Sequence, residues 1–160
     1  MSSYREQFTA ELQRLADIEA IKQLKYRYIR LVDAHRFDEW GDCFTEDCYL
    51  STTELGTWIG RDIIVAAVRR GYGNAKTIHQ VHMPEITITG PDKASAIWAL
   101  SDYATWTTDG ERAIEWGRGH YEESYVRTER GWRINRTVLI REALPPPNRS
   151  AMMAEQPAQA

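Results

Sequence analysis

The second half of the chain narrows the possible folds most. Between residues 77 and 141, four runs rich in Ile, Val, Thr and aromatic residues are separated by Gly90-Pro91-Asp92, Asp109-Gly110 and Glu129-Arg130-Gly131. β-Branched and aromatic residues suit a pleated, half-buried surface, and Asp-Gly between two such runs is a hairpin signal. The runs cover residues 77–89, 94–107, 114–127 and 132–141. Strands joined by turns this short run antiparallel, as a meander. Pro84 lacks the N–H a ladder needs, so the first of these strands lies at a sheet edge or carries a bulge.

The first half reads differently. Leu15, Ile18, Ile21, Leu24, Tyr28, Leu31 and Val32 recur in steps of three and four. That spacing predicts a long helix from about residue 10 to 34 with one buried stripe. Lys22, Lys25, Arg27 and Arg30 fall mostly off the stripe and are expected in solvent. Phe37, Trp40, Cys43 and Phe44 predict a short second helix, with Asp38 in its first turn. Glu46-Asp47 reads as a turn, and residues 49–53 and 57–59 as short strands across Glu54-Leu55-Gly56. A third helix, residues 62–70, would turn Ile63, Ala66 and Ala67 inward and stop at Gly71 and Gly73. Helices followed by an antiparallel sheet make an α+β domain. It is expected over residues 11–144, after a flexible start at residues 1–10. From Pro145-Pro146-Pro147 onward, residues 145–160 are expected to be disordered.

A long helix laid across a curved sheet leaves a pocket between them. The 6 Trp and 8 Tyr residues supply side chains to line it, Tyr49, Trp58 and Trp98 among them. A net charge of −3 without a dense basic patch argues against a nucleic-acid partner. No apolar run approaches the ~20 residues of a membrane helix. The opening MSSYREQFTAELQ lacks a signal-peptide core, which favours the cytoplasm. Cys43 and Cys48, with no second cysteine pair, read as free thiols rather than a zinc site or disulfide. Aromatic residues on exposed sheet faces suggest a homo-oligomer, dimer or trimer.

Several polar residues look out of place. Asp33 closes the long helix, well round from Leu24 and Tyr28, and periodicity alone is satisfied by a solvated acid there. His79 and His82, three apart, face opposite sides of a strand, so one can face the pocket. Either could equally be a structural histidine. Asp102 continues the apolar face of Ala96, Trp98 and Leu100, and needs a partner unless the strand has reached the rim. Arg141 stands near the end of the last strand. His120 follows Gly117-Arg118-Gly119, where the glycines mark a bulge or a close approach. An Asp beside a His makes a general base working near neutral pH, and a tyrosine hydroxyl aimed at a carbonyl stabilises the enolate that forms. This chemistry calls for no metal and no organic cofactor.

These residues carry a resemblance. Residues 17–33, His79-Gln80-Val81-His82-Met83-Pro84-Glu85-Ile86, residues 98–102, Thr108-Asp109-Gly110 and residues 138–141 resemble the SnoaL-like branch of the nuclear-transport-factor-2-like superfamily. That branch holds scytalone dehydratase and ketosteroid isomerase relatives, and the pattern is most similar to the bile acid 7α-dehydratases. The resemblance covers roughly residues 12–143. It implies a cone of three N-terminal helices on a curved, mainly antiparallel sheet. It also implies a Tyr28, Asp33, His79, Asp102 and Arg141 site: Asp33 and His79 would form the proton-transfer pair, and Tyr28 would polarise a carbonyl. Asp102 and Arg141 would position the substrate or assist a leaving hydroxyl. The expected substrate is a small hydrophobic cyclic, polyketide- or steroid-like molecule. The loop over residues 49–60 departs from the pattern, so the bile-acid substrate does not transfer. His120 is more like the second histidine of scytalone dehydratase, and would bind substrate. A dehydratase-type lyase is the first expectation. An isomerase or cyclase using the same base, or a non-catalytic binding protein, are the alternatives.

Overall fold

The computed structural model describes residues 3–108 and 111–144. The chain forms α1 (Tyr4–Asp33), α2 (Phe37–Gly41), β1 (Phe44–Thr52), β2 (Gly56–Ile59) and α3 (Arg61–Tyr72). Four long strands follow: β3 (Lys76–Gly90), β4 (Lys93–Thr108), β5 (Glu111–Thr128) and β6 (Gly131–Leu144). All six strands form one sheet in the order β2-β1-β6-β5-β4-β3. Every neighbouring pair is antiparallel except β1 and β6, which run parallel. This is the expected α+β layout, helices packed on a curved, mainly antiparallel sheet. The expected Asp109-Gly110 turn and the tail from residue 145 lie outside the described residues.

The proline reading holds in both its forms. β3 is an edge strand, and its pairing with β4 slips between His82 and Glu85, where Met83 takes a φ of 37°. Elsewhere the boundaries move for physical reasons. α1 begins at Tyr4 rather than near residue 10, because Ser3 and Glu6 form a capping box: the Ser3 hydroxyl accepts from the Glu6 N–H and the Glu6 carboxylate accepts from the Ser3 N–H. Residues 4–16 are exposed all round, so this part of the helix projects past the sheet. Leu15, expected inward, is therefore half exposed. Glu46 and Asp47 are not a turn; they lie within β1, exposed, where the β1–β6 register shifts between Phe44 and Tyr49. In α3 the inward residue is Ile64, while Ile63 and Ala66 face out. Val65, Val68 and Tyr72 complete that face, one residue out of step with the expectation.

Beneath α1 the core centres on Trp40, whose ring meets Tyr28 and Phe44 at centroid distances of 5.3 and 4.7 Å. Cys43 and Cys48 are buried in it as free thiols. Lys25 corrects the solvated reading: it is fully buried. It stands four residues after Ile21 and three before Tyr28, which puts it on the buried face. Its ammonium is tolerated there because it pairs with the equally buried Glu123 at 2.6 Å.

Candidate active site

Between α1, α3 and the inner face of the sheet lies a cavity of about 680 Å³, the size that holds a small organic molecule. Most of its wall is apolar, and its polar groups collect in three places.

The first is where α1 ends. Asp33 is the last residue of α1 and lies against the start of β3. Its Oδ2 accepts the His79 backbone N–H at 2.8 Å, and its Oδ1 accepts the Thr77 hydroxyl at 2.8 Å and stands 2.6 Å from His79 Nδ1. Burial pushes the Asp33 carboxyl up, but the hydrogen bonds from the His79 ring and backbone, its charge and Thr77 outweigh it, and the net shift is downward. A carboxylate at Nδ1 fixes the ring and leaves Nε2 as the free nitrogen. Nε2 has no hydrogen-bond partner among the described residues, and His79 lines the cavity. Tyr72 closes over the imidazole edge-on at 6.0 Å.

The second group is the floor. Tyr28 and Tyr121 line it, their rings edge-on with centroids 6.1 Å apart. Burial, reinforced by Tyr121 and the charge on Glu123, pushes the Tyr28 phenol well above its ordinary value, so it stays a neutral donor. Below them the Lys25 ammonium sits 3.4 Å from the Tyr121 ring centroid and 4.2 Å from that of Tyr28. Desolvation lowers the Lys25 pKa, and Glu123 works against that. Glu123 also accepts from the Thr137 hydroxyl at 3.0 Å and from the Tyr125 hydroxyl, which accepts from Trp98 Nε1 at 2.9 Å.

The third group surrounds Arg141 on β6. Nε and Nη2 donate to the two oxygens of Asp102, both at 2.8 Å. This fork crosses Gly117: a Cβ there would stand 2.4 Å from Arg141 Nε, Arg141 Nη2 and Asp102 Oδ1. Nη1 donates to Glu54 at 2.5 Å, and Nη2 lies 2.6 Å from Glu115. The hydrogen bonds of Asp102, acting against the cost of burial, raise the guanidinium's pKa still further.

The structure thus brings Asp33 and His79 into contact, pairs Asp102 with Arg141, and places His79, Tyr28, Trp58 and Arg141 on the cavity wall. Asp33 and Asp102 stand behind His79 and Arg141. Three expected substrate-binding residues lie elsewhere. His120 is one residue from Tyr121, hence on the outer face, with Nε2 3.5 Å from Glu122. Its neighbouring glycines make room for the Arg141–Asp102 pair and for the Ile140 carbonyl, not for a ligand. Tyr49 alternates with the inward Leu50 and carries the Arg136 guanidinium 5.4 Å from its ring. Trp98 is buried core, tied to Tyr125.

Four further charged groups were not anticipated. Lys25 was readable from its spacing to Ile21 and Tyr28, and Glu123 from its alternation with Tyr121 and Tyr125. Glu115, two residues before Gly117, shares that alternation. Glu54 sits in a turn and gave no signal. Among the described residues no group of three or more His, Cys, Asp or Glu is placed to hold a metal ion.

The SnoaL-like domain model matches residues 13–138. The chain belongs to the SnoaL-like domain family. The SnoaL-like fold recurs in solved structures. One is a protein from Novosphingobium aromaticivorans DSM 12444 assigned as a scytalone dehydratase, with 21% identity, 84% of this chain and 91% of that one covered, and a TM-score of 0.74. Another is a type 2 hexachlorocyclohexane dehydrochlorinase, LinA, with 17% identity, 86% and 94% covered, and a TM-score of 0.77. A third is LinA-type3 from Novosphingobium barchaimii LL02, with 17% identity, 86% and 95% covered, and a TM-score of 0.74. At these identities the likeness is one of fold, and a fold hosts many chemistries. No helix among the described residues is long and apolar enough to cross a membrane.

Proposed function

We propose that this SnoaL-like protein is a cofactor-independent lyase of the dehydratase type, acting on a hydrophobic cyclic small molecule. The observation that carries the reading is His79: Nδ1 is held by a buried-side carboxylate at 2.6 Å and Nε2 is free toward an apolar cavity. In this reading Nε2 takes a proton from carbon beside, or vinylogous to, a carbonyl. Asp33 stabilises the imidazolium that results. The neutral Tyr28 hydroxyl donates to the carbonyl oxygen as it gains charge. The electron pair left on carbon expels a β- or vinylogous hydroxyl or halide, forming the double bond, and the departing group leaves with a proton as water or acid. The dehydrochlorinase and dehydratase names among the fold relatives support an elimination.

The test is turnover on a panel of cyclic hydroxy-ketones, read by product mass. Loss of water that falls about 10²–10⁴-fold in His79→Ala and Asp33→Ala is expected, and unchanged rates in both variants refute the pair. Isomerisation or cyclisation would use the same base without change in mass. Binding of the panel with no turnover at all would favour a carrier. The same reading includes a homo-oligomer, dimer or trimer, supported by the outer sheet face with Ile97, Ile114, Trp116 and Ile140 exposed. Light scattering on the purified protein decides it.

A further inference from the structure

The cavity's Arg141 end looks at first like a receptor for an anion, and its bonding says otherwise. A guanidinium has five N–H donors. In Arg141, Nε and Nη2 hold Asp102, Nη2 also holds Glu115, and Nη1 holds Glu54. Four donors are committed to three carboxylates, and the guanidinium is almost fully buried. An incoming carboxylate would find no fork to bind and two uncompensated negative charges beside it. Glu54 and Glu115 both stand on the cavity wall. Glu54 has both oxygens engaged, by Arg141 and by the Ala143 N–H. Glu115 Oε1 faces Arg141, while its Oε2 has no partner among the described residues and the side chain is 40% exposed. The place holds a spare acceptor on Glu115, and the one Nη1 N–H that Arg141 has left cannot make the two-pronged bond a carboxylate needs.

We propose that this end of the cavity receives a hydrogen-bond donor of the substrate, a hydroxyl or an ammonium, on Glu115, and that Glu54 and Glu115 together turn away carboxylates and phosphate esters. This rests on the lyase reading only for the identity of the pocket, and it narrows the substrate to neutral or cationic molecules. Arg70 is the other cation on the wall. It pairs with no carboxylate among the described residues, so it is where an anion would go if the inference were wrong.

The experiment is calorimetric titration near neutral pH with three probes of one shape: 2-naphthol, 2-naphthylmethylammonium and 2-naphthoate. The naphthol and the ammonium are expected to bind, and the naphthoate about ten-fold more weakly or worse, the scale of a like-charge contact at a partly wet surface. In the Glu54→Gln/Glu115→Gln variant the three affinities are expected to converge to within about three-fold. Arg70→Ala is expected to leave the ranking alone. Naphthoate binding as tightly as naphthol, discrimination that persists in the double Gln variant, naphthoate binding that depends on Arg70, or no binding by any probe each overturns the proposal. These are equilibrium measurements, so absence of turnover on the ketone panel bears only on the lyase reading.

Discussion

Gly117→Ala tests how the polar end of the site is built. The β5 glycine leaves the space through which the Arg141–Asp102 fork passes, and a methyl group there would stand 2.4 Å from three of its atoms. Carbon and polar atoms do not approach that closely, so the fork must open. Arg141 is long enough to swing away and still has Glu54 and Glu115 to hold it. Asp102 is buried and keeps no other partner among the described residues. Two charge-assisted hydrogen bonds at about 1.5–3 kcal/mol each bound the loss from above. Replacing a strand glycine returns roughly 0.5–1 kcal/mol, and protonation or hydration of Asp102 returns more. The expected net destabilisation is about 2–4 kcal/mol, roughly 4–16 °C in Tm for a chain of this length. Urea denaturation gives the free energy. The same substitution in an Arg141→Ala background should then cost less than about 1 kcal/mol, since the clash has gone. A wild-type-background loss below about 0.5 kcal/mol, or an equal loss in both backgrounds, refutes the reasoning.

Lys25→Met should destabilise by about 3–5 kcal/mol by stranding Glu123, and adding Glu123→Gln should recover at least half; denaturant titration measures both. The Asp33 carboxyl has a lowered pKa in the folded protein. Its stabilisation is thus present above the unfolded value of ~3.9 and lost as pH falls through the folded one. The stability gap between wild type and Asp33→Asn should accordingly close below about pH 4 in urea titrations run across pH, and a gap independent of pH would contradict the carboxylate's role. Burial pushes the Cys48 thiol up to about 12. Iodoacetamide near neutral pH should therefore label Cys48 only after denaturant is added, as followed by mass spectrometry.

The sheet was legible because its information is local. The β3–β4 and β5–β6 turns are signalled by adjacent residues, and Pro84 marks its own edge and bulge. Helix faces were legible less well. One residue of angular error exchanged Ile63 for Ile64, and the overhang of residues 4–16 left Leu15 with nothing to pack on. The site lay mostly beyond reach of pattern. Asp33 and His79 came from the family resemblance, since periodicity alone left Asp33 at the surface. Lys25 and Glu123 are 98 residues apart and Glu54 and Arg141 are 87 apart. No one-dimensional period encodes such pairings. His120 went astray because its glycines marked a close approach, and the approaching groups were the chain's own.

The three bonds on Asp33 have a further effect. An asparagine at that position keeps one oxygen for the His79 N–H and turns an amide NH₂ toward Nδ1. The ring must then carry its hydrogen on the nitrogen that looks into the cavity. Asp33→Asn would leave the joint between α1 and β3 closed while converting a proton acceptor into a proton donor, a base switched off by a tautomer rather than by a missing side chain.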